Sequence, residues 1–112
     1  MSAPYAGLNT WVLQRFSAIF LLFYIIYLLA VLLLAPPTSH AELKQWVASP
    51  WVSVSLTVFF TLLVVHIWVG LRDVVLDYLA NAALRISVLA VIALLLLGSL
   101  FWFFRLMIKA LV

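Results

Sequence analysis

The sequence predicts an all-α integral membrane protein whose three transmembrane helices cross the bilayer up, down and up. Hydrophobic residues make up 70% of the 112-residue chain and charged residues only 8%, whereas a soluble domain has about 45–50% and about 25%. Three long uncharged runs are separated by two polar breaks, and each run provides the roughly 20 residues that span a bilayer core. Too few polar residues remain to coat this chain in water, so lipid is its expected solvent.

The first predicted span covers about residues 10–35. Arg15 lies near its start and a long uncharged run follows. Pro36 and Pro37 end the helix, because proline has no backbone N–H to continue the hydrogen-bond ladder. The run exceeds the roughly 7–15 apolar residues of a signal peptide, so we interpret it as a retained helix. No Arg- and Ser-rich transit segment precedes it, which favours a bacterial chain.

Two local signals predict how the chain continues into the second span. Ser39 and Glu42 have the spacing of a capping box, which favours a short surface helix in the connector. Ser49 followed by Pro50 is typical of an N-cap and the first residue of a helix. The second span is therefore predicted over residues 50–78.

A tight turn near residues 79–82 leads to the third span, predicted over residues 83–108. Arg85 and Arg105 bracket an uncharged run that ends in clustered aromatic residues, as in the aromatic belt at a membrane surface. The whole chain, residues 1–112, is expected to form one domain. Charge leaves the orientation open, because the six Lys and Arg residues divide evenly between the two sides.

Composition excludes several classes of function. The chain has no cysteine, so it cannot form disulfides, use a thiolate in catalysis or ligate an iron–sulfur cluster. Its net charge of +3 is small and its basic residues are scattered. They fit helix anchors at lipid headgroups and predict no binding of nucleic acid.

His66 is the most unusual residue of the predicted spans, because it lies near the middle of the second one. A neutral imidazole has two ring nitrogens to satisfy and seldom faces lipid. Ionisable residues inside a membrane are functional-site hypotheses by default. The alternative is a structural histidine that forms a hydrogen bond with a neighbouring helix.

Three residues after His66 lie within roughly 40° of its direction, given about 100° per helical residue. They are Gly70, Asp73 and Asp77. Gly70, one turn away, removes side-chain bulk and suits a flat ligand such as a porphyrin; close helix packing is the alternative. For Asp73 we favour a solvated helix end with an Arg72–Asp73 ion pair.

A haem bound through His66 would receive one axial ligand from this chain. The two axial positions lie on opposite faces of the ring, so a second ligand must come from another helix. The other histidine, His40, lies in the connector at the wrong depth. Either another chain supplies the second ligand or the iron is five-coordinate, and the sequence therefore predicts half of a haem site.

Asp77 and Tyr78 lie at the membrane rim, about 18 Å from His66 along an unbroken helix. A phenol can donate a hydrogen bond to a quinone carbonyl, and a carboxylate beside it can relay the protons that quinone reduction consumes. We expect Arg15 to enter the same interface, where it can pair with a haem propionate or orient a quinone. The alternatives are a belt tyrosine and a snorkelling arginine.

The second span resembles a family signature. Residues 66–70 read His-Ile-Trp-Val-Gly, and Val74 and Asp77-Tyr78 follow. This is similar to the pattern His-x-Trp-x-Gly, spacer, Val-x-x-Asp-Tyr of the small hydrophobic membrane-anchor subunit of succinate dehydrogenase. Residues 15–18, Arg-Phe-Ser-Ala, resemble that family's first-helix entry. The helix count and length agree, so the resemblance covers nearly the whole chain.

The resemblance implies a role for each candidate residue. By matching position, His66 would be an axial ligand of the haem b iron, with Gly70 packed beside the ring. Arg15 would lie near the propionates or the quinone. Tyr78 would hydrogen-bond the ubiquinone headgroup, with Asp77 in its vicinity.

The resemblance also implies a complex and a location. A flavoprotein subunit would oxidise succinate, a step of the tricarboxylic acid cycle, and an iron–sulfur subunit would carry the electrons to the membrane. Two anchors, this chain and a second, cytochrome b subunit, would form a heterodimeric bundle of which this chain is half. The family orientation places the chain in the bacterial inner membrane, with a cytoplasmic N-terminus and a periplasmic C-terminus. This chain alone would catalyse nothing.

Other functions remain open on the sequence. The chain could be a small non-redox structural or assembly subunit, in which His66 joins helices and Tyr78 is a belt residue. It could also be the anchor of a related fumarate reductase, which matches Asp77-Tyr78 less well. A transporter is disfavoured, because the first and third spans carry almost no polar residues.

Overall fold

The computed structural model describes the backbone of residues 4–112 and the side chains from residue 8 onward. These residues form four helices and no strand. Listed in chain order, the helices are α1 (Pro4–Leu34), α2 (His40–Ala48), α3 (Pro50–Tyr78) and α4 (Ala82–Leu111). The predicted all-α fold is thus confirmed.

Three of the helices are long and apolar enough to cross a membrane. The apolar stretches comprise 27 residues of α1, 29 of α3 and 30 of α4. The bounds follow the sequence prediction closely at Pro50 and Tyr78, whereas α1 begins at Pro4 rather than near residue 10. The chain is a multi-pass membrane protein by length and composition of its helices.

Among the spanning helices, α3 lies between α1 and α4. α1 and α4 both pack against α3, α2 contacts α3 and α4, and within residues 4–112 α1 does not touch α4. Short connections make consecutive spanning helices antiparallel, as the up-down-up topology requires. Because α1 and α4 do not pack against each other, the three spanning helices do not form a closed bundle.

The two seams along α3 are built differently. Against α1, the Tyr24 hydroxyl lies 2.6 Å from the Ser55 Oγ, and its ring stacks on Phe59 with centroids 4.8 Å apart. Against α4, Phe60 and Phe103 stack nearly parallel with centroids 4.4 Å apart. Few large apolar residues are buried by these seams, so most of the apolar surface faces outward.

Local signals set most of the helix ends. Ser39 caps α2 by accepting a hydrogen bond from the Glu42 N–H at 3.1 Å, which confirms the predicted cap. The Glu42 carboxylate does not complete the capping box, since it accepts a hydrogen bond from Thr38 instead. Pro50 begins α3 and Ser49 is its N-cap residue, as predicted, although the Ser49 side chain makes no capping hydrogen bond. Its backbone N–H already donates to Trp46.

The turn between α3 and α4 is fixed by two polar residues. The Asn81 Oδ1 accepts a hydrogen bond from the Leu84 N–H at 3.1 Å and caps α4. The Arg85 guanidinium reaches back to donate to the carbonyls of Leu79 and Leu76 at the end of α3. A cation on these last carbonyls also complements the negative end of the helix dipole.

Candidate functional site

His66 lies near the middle of α3 and faces α1. Its Nδ1 lies 2.9 Å from the Oγ of Ser17, a residue with no exposed surface. The Ser17 hydroxyl also lies 3.0 Å from the carbonyl oxygen of Gln14, one turn earlier in α1. The imidazole is half-buried, and among the described residues its Nε2 makes no hydrogen bond. One ring nitrogen is therefore held by α1, whereas the other has no hydrogen-bond partner in the described part of the chain.

Gly70 lies one turn further along α3 and faces the same helix. A Cβ atom added to Gly70 would stand 3.3 Å from the Nε2 of Gln14, a tight contact. The Oε1 of the same Gln14 side chain is buried without a hydrogen-bond partner in the described part of the chain. Gly70 thus permits α1 to approach α3, which is the close-packing alternative weighed above, and its role beside a haem stays a prediction.

The stripe predicted from His66 to Asp77 divides into two parts. His66 and Gly70 lie in the seam with α1, whereas Asp73 and Asp77 are exposed near the end of α3. Arg72 pairs with Asp73 at 3.3 Å, which confirms the ion pair expected there. Asp73 is therefore engaged at the surface.

Tyr78 is the last residue of α3 and is 81% exposed. Along α3 it lies about 18 Å from His66. Within residues 8–112 neither Tyr78 nor Asp77 has a hydrogen bond or an ion pair through its side chain. The exposed phenol of Tyr78 and the neighbouring carboxylate of Asp77 thus lie together at the end of α3.

Arg15 lies on the side of α1 that faces away from α3. It is exposed and its guanidinium lies 5.3 Å from the centre of the Trp11 ring. Ser17, two residues on, faces α3, so Arg15 projects about 160° away from that seam. Since Ser17 meets His66, the antiparallel register sets Arg15 roughly level with His66 and about 15 Å from the level of Tyr78. The Cα of Arg15 therefore lies nearer the level of His66 than that of Tyr78, and its place near a haem propionate or the quinone stays a prediction.

The sequence analysis missed the roles of Ser17 and Gln14. Ser17 appeared only within the Arg-Phe-Ser-Ala motif, and its signal was a hydroxyl placed deep in an apolar span. No cluster of three or more His, Cys, Asp or Glu residues that could hold a metal ion occurs in the described part of the chain. The donor that this chain offers is a lone imidazole, which is what one axial position of a haem uses.

Comparison with known proteins agrees with the fold and the motif. Residues 1–104 match the family described as succinate dehydrogenase/fumarate reductase transmembrane subunit. A succinate dehydrogenase hydrophobic membrane anchor subunit from Coxiella burnetii is 30% identical over 101 residues, covering 86% of this chain and 84% of that protein. The family match includes all three spanning helices up to the last turns of α4.

Proposed function

The chain belongs to the family of succinate dehydrogenase/fumarate reductase transmembrane subunits, and from that premise we propose that it helps to bind haem b and ubiquinone as a succinate dehydrogenase anchor. A relative named as such an anchor is similar over most of both chains. Electrons from succinate would reach the membrane through partner subunits and reduce the quinone. This chain would contribute binding groups and would not be catalytic alone.

The single observation that carries the haem assignment is that the two ring nitrogens of His66 have different surroundings. One nitrogen is bonded to buried Ser17 and the other makes no hydrogen bond within the described residues. These residues fit a haem, since an iron ligand needs a free lone pair on one nitrogen and a partner that orients the ring. When bound, haem b can store an electron near the quinone. Arg15 would lie near a haem propionate or the quinone, and its guanidinium is exposed.

A histidine of a second, cytochrome b anchor would occupy the other axial position. The many exposed apolar side chains of the spanning helices support this arrangement, because a second anchor could pack against them. The remaining partners would be an iron–sulfur subunit and a flavoprotein subunit on the side of Tyr78. The chain would lie in a bacterial inner membrane, with its N-terminus in the cytoplasm and its C-terminus in the periplasm.

Tyr78 would donate a hydrogen bond to a quinone carbonyl, and Asp77 would tune that bond or deliver protons. Their exposure and lack of partners within the described chain support this role. A donor that binds the increasingly negative oxygen of the reduced quinone favours reduction more than it favours substrate binding. This preference distinguishes a quinone ligand from a tyrosine that only anchors the helix.

The haem assignment is tested by replacing His66 with leucine in the assembled complex and recording the reduced-minus-oxidised optical spectrum. We expect loss of the low-spin b-type signal. His40→Leu is the matched control, because it removes the chain's other histidine outside the spans. An unchanged bis-histidine spectrum in His66→Leu would remove His66 from the site. Co-purification of all subunits must accompany each spectrum, because an unassembled anchor also lacks haem.

The quinone assignment is tested by Tyr78→Phe, which keeps the ring and deletes the hydroxyl. Losing one such donor costs about 1–3 kcal/mol, so succinate–quinone activity should fall roughly five- to 150-fold. Succinate oxidation by an artificial acceptor that bypasses the membrane site should persist. Tyr27→Phe is a control on another exposed tyrosine. Equal retention of both activities would show that Tyr78 only anchors the helix.

A further inference from the structure

We infer that Ser17 is a positioning residue that fixes the tautomer of His66, so that Nδ1 carries the proton and Nε2 presents a lone pair to the iron. The inference rests on the proposed function and deepens it. It concerns the bond between the two helices rather than the choice of His66 as a ligand. The observation behind the inference is the pair of hydrogen-bond contacts made by the fully buried hydroxyl of Ser17.

The direction of each hydrogen bond at Ser17 follows from the number of protons that the groups can donate. A serine hydroxyl has a single proton to donate, whereas a backbone carbonyl can only accept. The Ser17 hydroxyl donates to the Gln14 carbonyl at 3.0 Å, so its proton is already committed. While that bond is kept, its second contact, with the His66 Nδ1 at 2.9 Å, is one in which it accepts. The proton of that bond belongs to the imidazole.

A neutral imidazole with its proton on Nδ1 has its acceptor lone pair on Nε2. Nε2 is also the ring nitrogen of His66 that makes no hydrogen bond among the described residues. The opposite tautomer would leave Nδ1 and the hydroxyl without a proton between them, unless Ser17 gave up its bond to Gln14. Within the seam, the tautomer with its proton on Nδ1 therefore keeps both bonds of the Ser17 hydroxyl and leaves the acceptor lone pair on Nε2.

Burial of Ser17 strengthens the preference for the tautomer of His66 that is protonated on Nδ1. Ser17 has no exposed surface, so water cannot replace the bond that it makes. The close approach at Gly70, where an added Cβ would lie 3.3 Å from Gln14, holds α1 against α3 one turn away. The hydroxyl therefore stays within reach of His66, and the ring is held before any ligand arrives.

A partner on the second nitrogen matters to a metal ligand in two ways. It fixes the orientation of the ring, and it makes the ligating nitrogen more basic. Loss of such a partner typically lowers metal affinity by about 10–100-fold. Ser17 is thus expected to govern how tightly the haem is held and the ligand field at the iron, although it touches neither.

The test compares Ser17→Ala with Ser17→Thr and Ser53→Ala in the purified, assembled complex. Thr keeps a hydroxyl. Ser53 is the matched control, because it is likewise buried and donates to a carbonyl three residues earlier, at 3.2 Å from Pro50, without bonding a histidine. The measurements are the rate of haem transfer to excess apomyoglobin, the haem midpoint potential and the electron paramagnetic resonance spectrum of the oxidised haem.

We expect Ser17→Ala to lose haem about 10–100-fold faster, with a shifted potential and an altered resonance spectrum. Ser17→Thr should restore these properties, and Ser53→Ala should match the unmodified complex. Unchanged haem properties in Ser17→Ala would overturn the inference. If His66→Leu keeps its bis-histidine spectrum, the proposed ligand itself fails, which is a distinct result.

A second variant covers the case in which Ser17→Ala prevents assembly. Ser17→Cys nearly keeps the volume but offers only a weak acceptor, so the potential should still shift. If it assembles with an unchanged potential, the inference is overturned. If Ala and Cys both fail while Thr assembles, Ser17 serves only to join the helices, and that outcome also overturns the inference.

Discussion

The two seams of α3 show how differently one helix can be held on its two sides. Toward α1, the contacts include hydrogen bonds in the apolar layer, from Ser17 to His66 and from Tyr24 to Ser55. Toward α4, the spanning part relies on stacked rings, Phe60 on Phe103. The hydroxyl of Ser99 on α4 instead donates to its own helix.

The difference between the two seams shows which contacts fix the register of one helix against another. Lipid tails are as apolar as leucine, so apolar contact alone gives helices in a membrane little reason to prefer one register. Hydrogen bonds at fixed depths do distinguish registers, and they occur at two levels of the α1–α3 seam. That seam also holds His66, so the candidate site lies where the helices are most specifically joined.

The largest expected effect comes from breaking the α1–α3 seam at Gly70. Gly70→Leu forces bulk into a position where even a Cβ would lie 3.3 Å from Gln14. Overpacking of this kind costs about 1–3 kcal/mol, and it also separates Ser17 from His66. We expect a lower thermal midpoint of the purified complex and a lower haem content.

The matched control is Gly98→Leu on α4, where an added Cβ meets nothing within 4 Å. If the two seams differ as described, this variant keeps its haem and nearly keeps its thermal midpoint. Equal damage from both glycine substitutions would show that the two faces of α3 are equally crowded in the assembled complex. The asymmetry would then be a property of the isolated chain.

The intermediate effect concerns the α3–α4 seam. Phe103→Leu keeps an apolar side chain but removes the stacking with Phe60. Such an aromatic pair contributes about 0.5–1.5 kcal/mol beyond its buried area. We expect a modest drop in thermal midpoint with an unchanged haem spectrum, since this seam is remote from His66. Phe101→Leu, on an exposed ring, is the control, and a changed haem spectrum in Phe103→Leu would contradict the separation of the seams.

The sequence was sufficient for the fold because hydropathy and length decide which segments cross a membrane. Pro36 and Pro37 end α1 as expected, and Ser39 caps α2, because these signals act within one turn. Asn81 is a local cap signal of the same kind, and the sequence offers it just before α4.

The sequence was less informative about the site, because helical periodicity shows which residues share a face but not what covers that face. His66 and Gly70 were correctly placed on one stripe, yet the neighbour they meet is α1. The bond to Ser17 depends on the register between two helices, which no local pattern encodes. The level of Arg15 relative to α3 likewise depends on the register between two helices.

The smallest expected effect sharpens the comparison within the α1–α3 seam itself. Tyr24→Phe keeps the stacking on Phe59 and deletes the hydroxyl that lies 2.6 Å from Ser55. Ser55 remains bonded to the Val52 carbonyl at 3.1 Å, so the loss leaves no buried donor stranded.

Interhelical hydrogen bonds in membranes average about 0.6 kcal/mol, and we expect a fall in thermal midpoint smaller than that of Phe103→Leu. Haem content should be unchanged, because the other hydrogen bond of the α1–α3 seam, between Ser17 and His66, is intact. Tyr27→Phe, at a more exposed tyrosine of α1, provides the baseline. A loss of haem in Tyr24→Phe would mean that the two bonds act as one unit, so that the depth of His66 is set by both levels of the seam rather than by Ser17 and Gly70 alone.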